Sequence, residues 1–258
     1  MANILLFDDN DVAGCAMQDI LHRGQHAAFV ATSADEAWRI LREGVLFDLV
    51  FLELNVPGSG GINFLRKLRE DWFWKILPVV AYTTERDSRM VRSALALKVQ
   101  NYLIKPYQEE SINAEVTRAL LKPWRDLHFD EPASFCALME LTPESLIARR
   151  QEVQAGFEHA AKEFPTWAQI RENEDDAIAR IRDLVSSAEG AGVWAGLDYL
   201  RDLQIQAIQG NWPVFAHSAE PLIFASQLIR CQLNAGYVPD FLAAALNNPE
   251  HAQRVFKF

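Results

Sequence analysis

The sequence predicts two folds in tandem: an α/β doubly wound sheet of five parallel strands, then an all-α helical bundle. Three observations carry this. Up to about residue 121, short apolar runs alternate with amphipathic stretches, the pattern of strands that cross over through helices into a parallel sheet. After Lys122-Pro123 the strand-like alternation disappears. Long periodic segments of Leu, Ile, Ala and aromatics then take over, broken by Pro and Gly.

In the first part, strands are expected at 4–7, 27–31, 49–52, 79–82 and 102–104, with helices near 12–23, 34–43, 61–71, 87–97 and 109–121. Ser33 and Asp87 are the expected N-caps of the second and fourth helices. In the second part, helices are expected near 133–140, 143–163, 174–189, 193–209, 213–234 and 239–246, with loops at Phe164–Trp167 and around Gly236. Thr142-Pro143-Glu144 and Asn173-Glu174-Asp175-Asp176 look like helix starts, a cap followed by Pro or by acids at the positive end of the dipole. The expected domains are 1–121, a linker and connecting helix at 122–142, and a helical interaction domain at 143–258.

Composition fits this division. Half of the 258 residues are apolar, enough for two compact units with their own cores. The net charge of −10 is uneven: 16 acidic against 13 basic residues up to position 120, and 19 against 12 beyond it. A duplex-binding output domain needs a basic face, so no nucleic-acid partner is expected. Three widely spaced cysteines without a CxxC pair suggest neither a disulfide framework nor a zinc site. The opening MANILLFDDND meets acids too early for a secretory signal, and no stretch approaches the ~18 apolar residues of a membrane span. A reduced, cytoplasmic protein is the expectation.

In an open parallel sheet the carboxyl ends of the strands carry the site. Here those ends supply Asp8 and Asp9, Glu53, Thr83 and Lys105. Acids, one hydroxyl and one ammonium converging on a point is what a hard divalent ion plus a phosphoryl group requires. Taken in order, ILLFDDN, DLVFLELNVPGSGG, PVVAYTT and YLIKP resemble the receiver domains of two-component signalling, a flavodoxin-like fold, over essentially all of residues 1–121. The resemblance implies that Asp8, Asp9 and the Asn55 backbone carbonyl would hold Mg²⁺. It also implies that Thr83 would bind the phosphoryl group, that Lys105 would pair with it before a cis-proline, and that Tyr102 would be the aromatic switch.

The departure from the family lies at the phosphoacceptor position, where Glu53 stands in place of the nucleophilic Asp. In-line attack needs the carboxylate placed to a fraction of an ångström, and misplacement on the order of 1 Å costs ~100-fold. Conversely, the longer side chain pushes a permanent charge towards Lys105 and Thr83, in imitation of the phosphorylated state. Three readings stay open: a natural pseudo-receiver, a normal regulator into which a phosphomimetic substitution has been introduced, and a residual glutamyl-phosphate acceptor.

Two surfaces suggest contacts. Trp72, Phe73 and Trp74 crowd a connection before the fourth strand, where they either close the local core or form a patch for the helical unit or a partner. The stretch Ala94–Leu97 through Tyr102 corresponds to the face on which receivers dimerise or dock output domains, so a homodimer is one expectation.

The second half holds VSSAEGAGVWAGLDYLRDL, similar to the signature of histidine phosphotransfer domains, with Gly190 and Gly196 at the matching spacing. By that resemblance the histidine position is Ser186 and the lysine position Glu189, so the site is degenerate. A plain helix-turn-helix with glycines at the turn explains the same pattern. His217 is a helical imidazole, but Pro221 lies within one turn and no Lys-Gly follows. The stripes Leu197, Leu200, Leu203, Ala207 and Leu222, Ala225, Leu228, Ile229 read as bundle core or a dimer seam. The function expected is that of a non-enzymatic, atypical response regulator. Its helical output domain binds another signalling protein: a histidine kinase, a phosphotransfer protein or an output protein. The alternative is a phosphorelay protein whose helical domain transfers phosphate.

Overall fold

The computed structural model describes residues 1–43, 45–57, 60–84, 88–169 and 174–234. The helix expected at 239–246, the loop at Gly236 and the caps at Asp87 and Asn173 lie outside the described residues. Two compact units result, Met1–Trp124 and a second that begins at Arg125.

The first unit runs β1 (Asn3–Phe7), α1 (Asp11–Arg23), β2 (Ala27–Ala31), α2 (Ala34–Arg42), β3 (Leu49–Leu52), α3 (Gly60–Glu70), β4 (Val79–Thr83), α4 (Ser88–Ala96), β5 (Asn101–Ile104) and α5 (Glu109–Leu121). All four strand pairings are parallel, in the order β2-β1-β3-β4-β5. Helices cover both faces, so β1, β3 and β4 are buried almost throughout and read as unbroken apolar runs. One face packs Ile4, Leu6, Phe51, Val80 and Tyr82 against Met17, Leu21, Ile112 and Val116. On the other, Phe7 meets Phe64 edge to face at 5.2 Å. Ser33 caps α2 by accepting from Glu36 N, and Asn10 caps α1 by accepting from Ala13 N. The strand order reverses between β1 and β3, which places a crevice beyond their carboxyl ends.

The aromatic connection takes the core-closing alternative for two of its three rings. Phe73 and Trp74 are buried, 1% and 3% exposed, and pack with Trp124 at 5.5 and 5.8 Å. The cause is Asp71, whose Oδ1 accepts from both Phe73 N and Trp74 N and turns the chain inward. Only Trp72 of the three remains partly exposed. Trp124 Nε1 donates to the Phe47 carbonyl at 2.8 Å, so this residue of the expected linker belongs to the core of the first unit. At the other end of the sheet, His26 Nδ1 accepts from Ala2 N. Burial, and then the N-terminal ammonium, push the His26 pKa below its ordinary 6.5. This neutral imidazole therefore contributes stability that is lost as pH falls from about 6.5 through its lower folded value. Melting curves between neutral and mildly acid pH should fall more steeply for the wild type than for His26→Gln, which gains no proton; parallel curves would remove the claim.

The second unit comprises α6 (Pro132–Met139), α7 (Pro143–Glu163), α8 (Glu174–Glu189), α9 (Leu197–Ile208) and α10 (Ala219–Leu233). The segment expected as a connecting helix packs here, with Phe135 and Cys136 buried against Leu146. Thr142 caps α7 through Ser145 N, with Pro143 in its first turn. Both apolar stripes are inside: Leu197, Leu200, Leu203, Ala207, Leu222, Ala225, Leu228 and Ile229 are all buried. Two helix starts differ from expectation. α9 begins at Leu197 because Gly196 caps it at φ +71, after a turn in which Gly192 has φ +60. α10 begins at Ala219, preceded by a 3₁₀ turn over Trp212–His217, because a helix running on from 213 would set the Pro221 ring against the carbonyl of residue 217.

Candidate functional site

The strand register brings the expected residues to one level. Phe7 pairs with Leu52 and Thr83 with Ile104, so Asp8, Glu53 and Lys105 each emerge one residue past a strand end. Glu53 N donates to the Phe7 carbonyl at 2.8 Å, and Lys105 N to the Thr83 carbonyl at 2.9 Å, which extends the ladder into the site. Gly61, in the first turn of α3, lies directly against the Glu53 and Leu54 backbone. The Lys105-Pro106 peptide is cis.

The side chains close a compact ion cluster. Lys105 Nζ lies 2.7 Å from Asp8 Oδ2 and 2.9 Å from Glu53 Oε2. The remaining oxygens are also engaged: Asp8 Oδ1 accepts from Asn10 N and Glu53 Oε1 from Asn55 N, both at 2.9 Å. Asp8 and Glu53 are buried, and the Lys105 side chain is only 15% exposed. Beneath the ammonium, 4.5 Å away, lies the ring of Tyr82. Burial alone would lower the Lys105 pKa; hydrogen bonds and charge from Asp8 and Glu53 outweigh it and leave the pKa above the usual lysine value. Burial, followed by the charge of Asp8, pushes Tyr82 far up, so its phenol stays neutral.

Direct contact therefore unites three of the expected residues, Asp8, Glu53 and Lys105. Thr83 is wholly buried at the end of β4, Asp9 and Asn55 are exposed, and Tyr102 is half-buried in β5. Tyr82 was missed; the signal was a hydroxyl-bearing aromatic next to Thr83 in a strand otherwise built of aliphatics.

Mg²⁺ can be tested against this donor set. Divalent magnesium demands near-octahedral oxygen ligands at about 2.0–2.1 Å. Both oxygens of Asp8 and both of Glu53 already accept from a backbone N–H or from Lys105. Among the described residues no three His, Cys, Asp or Glu side chains are grouped to hold a metal. With the Lys105 ammonium seated on both carboxylates, Asp8 and Glu53 do not fit a resident divalent ion; Asp9 and Asn55, the other expected ligand residues, are exposed.

In the second unit, Ser186 and Glu189 are exposed on the last turns of α8, and Gly190 follows them. Glu189 pairs with Arg201 of α9 at 2.6 Å. The turn after α8 is held from beneath: Arg149 donates to the Gly190 carbonyl, and buried Arg150 to the Ala191 and Asp130 carbonyls at 3.1 and 3.0 Å. Arg150→Met should cost about 1–3 kcal/mol in urea unfolding, because it strands buried carbonyls; an unchanged midpoint would mean that water replaces the guanidinium. His217 is exposed on the 3₁₀ turn.

Residues 4–117 match the family model described as the response regulator receiver domain. Over 139 residues the chain is 28% identical to the transcriptional regulatory protein AfsQ1 of Streptomyces coelicolor, covering 54% of this chain and 59% of that one. It is 26% identical over 114 residues to the chemotaxis protein CheY1 of Helicobacter pylori, covering 44% and 92%. Among solved structures, Vibrio cholerae CheY4 is 23% identical with a TM-score of 0.43, covering 46% of this chain and 98% of that one. The receiver domain of the sensor histidine kinase PA1611 from Pseudomonas aeruginosa, with magnesium in its active-site cleft, is 20% identical with a TM-score of 0.43, covering 47% and 98%. Residues 4–117 are thus a receiver domain of two-component response-regulator type.

Proposed function

We propose that this chain is an atypical response regulator that acts by protein contact. In it, Glu53 takes the place of an aspartate that is phosphorylated in relatives of the family. One observation carries the reading: both Glu53 oxygens are held in place, one by Lys105 and one by Asn55 N. A nucleophile must bring an oxygen lone pair in line with phosphorus, and misplacement on the order of 1 Å costs ~100-fold. The same contacts supply what a phosphoryl group supplies elsewhere, a fixed negative partner for Lys105 at the strand end. The site thereby holds one charge arrangement without a phosphodonor.

The helical unit is the output in this reading, a surface for another signalling protein: a kinase, a phosphotransfer protein or an output protein. Its resemblance to a phosphotransfer domain extends to the glycine-bounded turn, while Ser186 and the Arg201-paired Glu189 stand where imidazole chemistry would need His and Lys. Presentation of a rigid surface is what Arg150 and the glycines then serve. The test is retention of partners by the full chain. Wild type should hold its partner equally with and without acetyl phosphate, and Glu53→Gln should lose it. Binding that requires acetyl phosphate, or that ignores the Gln substitution, would defeat the proposal.

A further inference from the structure

Asp8 and Glu53 are buried acids that need a counter-charge, and they already have one. The Lys105 ammonium has three walls: Asp8 Oδ2 at 2.7 Å, Glu53 Oε2 at 2.9 Å and the Tyr82 ring at 4.5 Å. An aromatic face suits an organic monocation, whereas Mg²⁺ sheds its water reluctantly and takes oxygen. The other carboxylate oxygens are turned away onto Asn10 N and Asn55 N. The lysine is also anchored behind its side chain, since Lys105 N is bonded to the Thr83 carbonyl. A divalent ion approaching these acids meets an ammonium within a few ångströms, and like charges at about 4 Å repel by several kcal/mol near a protein surface.

We propose that Lys105, seated on Asp8, Glu53 and the Tyr82 ring, is the resident cation of the crevice, so that the receiver keeps its site assembled without metal and binds Mg²⁺ only when the ammonium is removed. The proposal deepens the reading of Glu53 as a permanent partner for Lys105 and assigns Tyr82 as the positioning residue beneath it.

The experiment is titration of the full chain with MgCl₂ by calorimetry, together with melting in MgCl₂ and in EDTA. A ligand that binds the folded state raises Tm by mass action. Wild type should melt identically in both buffers. Lys105→Met should bind Mg²⁺ at least about tenfold more tightly than wild type, and its Tm should rise in MgCl₂. If Lys105→Met does not fold in either buffer, Tyr82→Leu carries the test: it keeps all three charges, loosens the ammonium, and should bind Mg²⁺ more tightly than wild type. Wild-type binding as tight as that of the variant measured overturns the proposal. A phosphoryl adduct at Glu53 would overturn the signalling reading instead and leave the magnesium comparison standing.

Discussion

Replacing Lys105 by Met is expected to destabilise the receiver by about 3–5 kcal/mol, because it leaves two buried carboxylates facing each other with no cation between them. Asp8 and Glu53 are 1% and 4% exposed, so water cannot take over the ammonium's role. Lys105→Met combined with Glu53→Gln should regain part of the loss at neutral pH, since only one buried charge remains. A single-variant loss below about 1 kcal/mol would show that the buried acids do not depend on the ammonium.

The second large effect concerns a residue with no chemistry of its own. A Cβ on Gly61 would lie 2.2 Å from the Glu53 carbonyl oxygen, 2.7 Å from the Leu54 carbonyl oxygen and 2.8 Å from Leu54 Cα. All three are backbone atoms, so no rotamer relieves the clash. Either α3 moves away or the β3–α3 connection does, and the second displaces Glu53 from Lys105. Alanine in a helix gains up to about 1 kcal/mol over glycine, yet overpacking against backbone should outweigh this and cost about 3 kcal/mol or more. Gly14→Ala provides the contrast within the same unit: the nearest atom to its Cβ is Val30 Cγ1 at 3.6 Å, an ordinary contact, so the substitution should be neutral or stabilising. Equal midpoints for the two alanine variants would contradict the close approach at Gly61.

Much of this was legible in the sequence, for a physical reason. A parallel sheet buries both faces of its strands, so each strand is an uninterrupted apolar run and the first polar residue after it marks the site end. That logic picked out Asp8, Glu53 and Lys105 from sequence alone, and Lys105 Nζ lies 2.7 and 2.9 Å from the two carboxylates. Tyr82 escaped because inside such a run it reads as one more buried apolar residue. For Phe73 and Trp74 the sequence left core and surface both open, because a run of aromatics says nothing about direction; the inward turn is encoded by Asp71, as an Asx turn. In the helical unit, periodicity found the helices but placed two starts too early. Gly196 needs a left-handed backbone and Pro221 needs a free carbonyl four residues back, constraints that interrupt a helix without interrupting its apolar stripe.

The central claim is that Glu53 stands in for phosphorylation and does not undergo it. Its direct test is intact-mass measurement, at neutral pH, of the full chain after incubation with acetyl phosphate and MgCl₂, beside Glu53→Asp. The wild type should gain no mass, while Glu53→Asp, whose shorter carboxylate draws back from Lys105 and frees the ammonium to give way to Mg²⁺, should gain one base-labile phosphoryl group. A wild-type adduct that maps to Glu53 and disappears in Glu53→Gln would contradict the account.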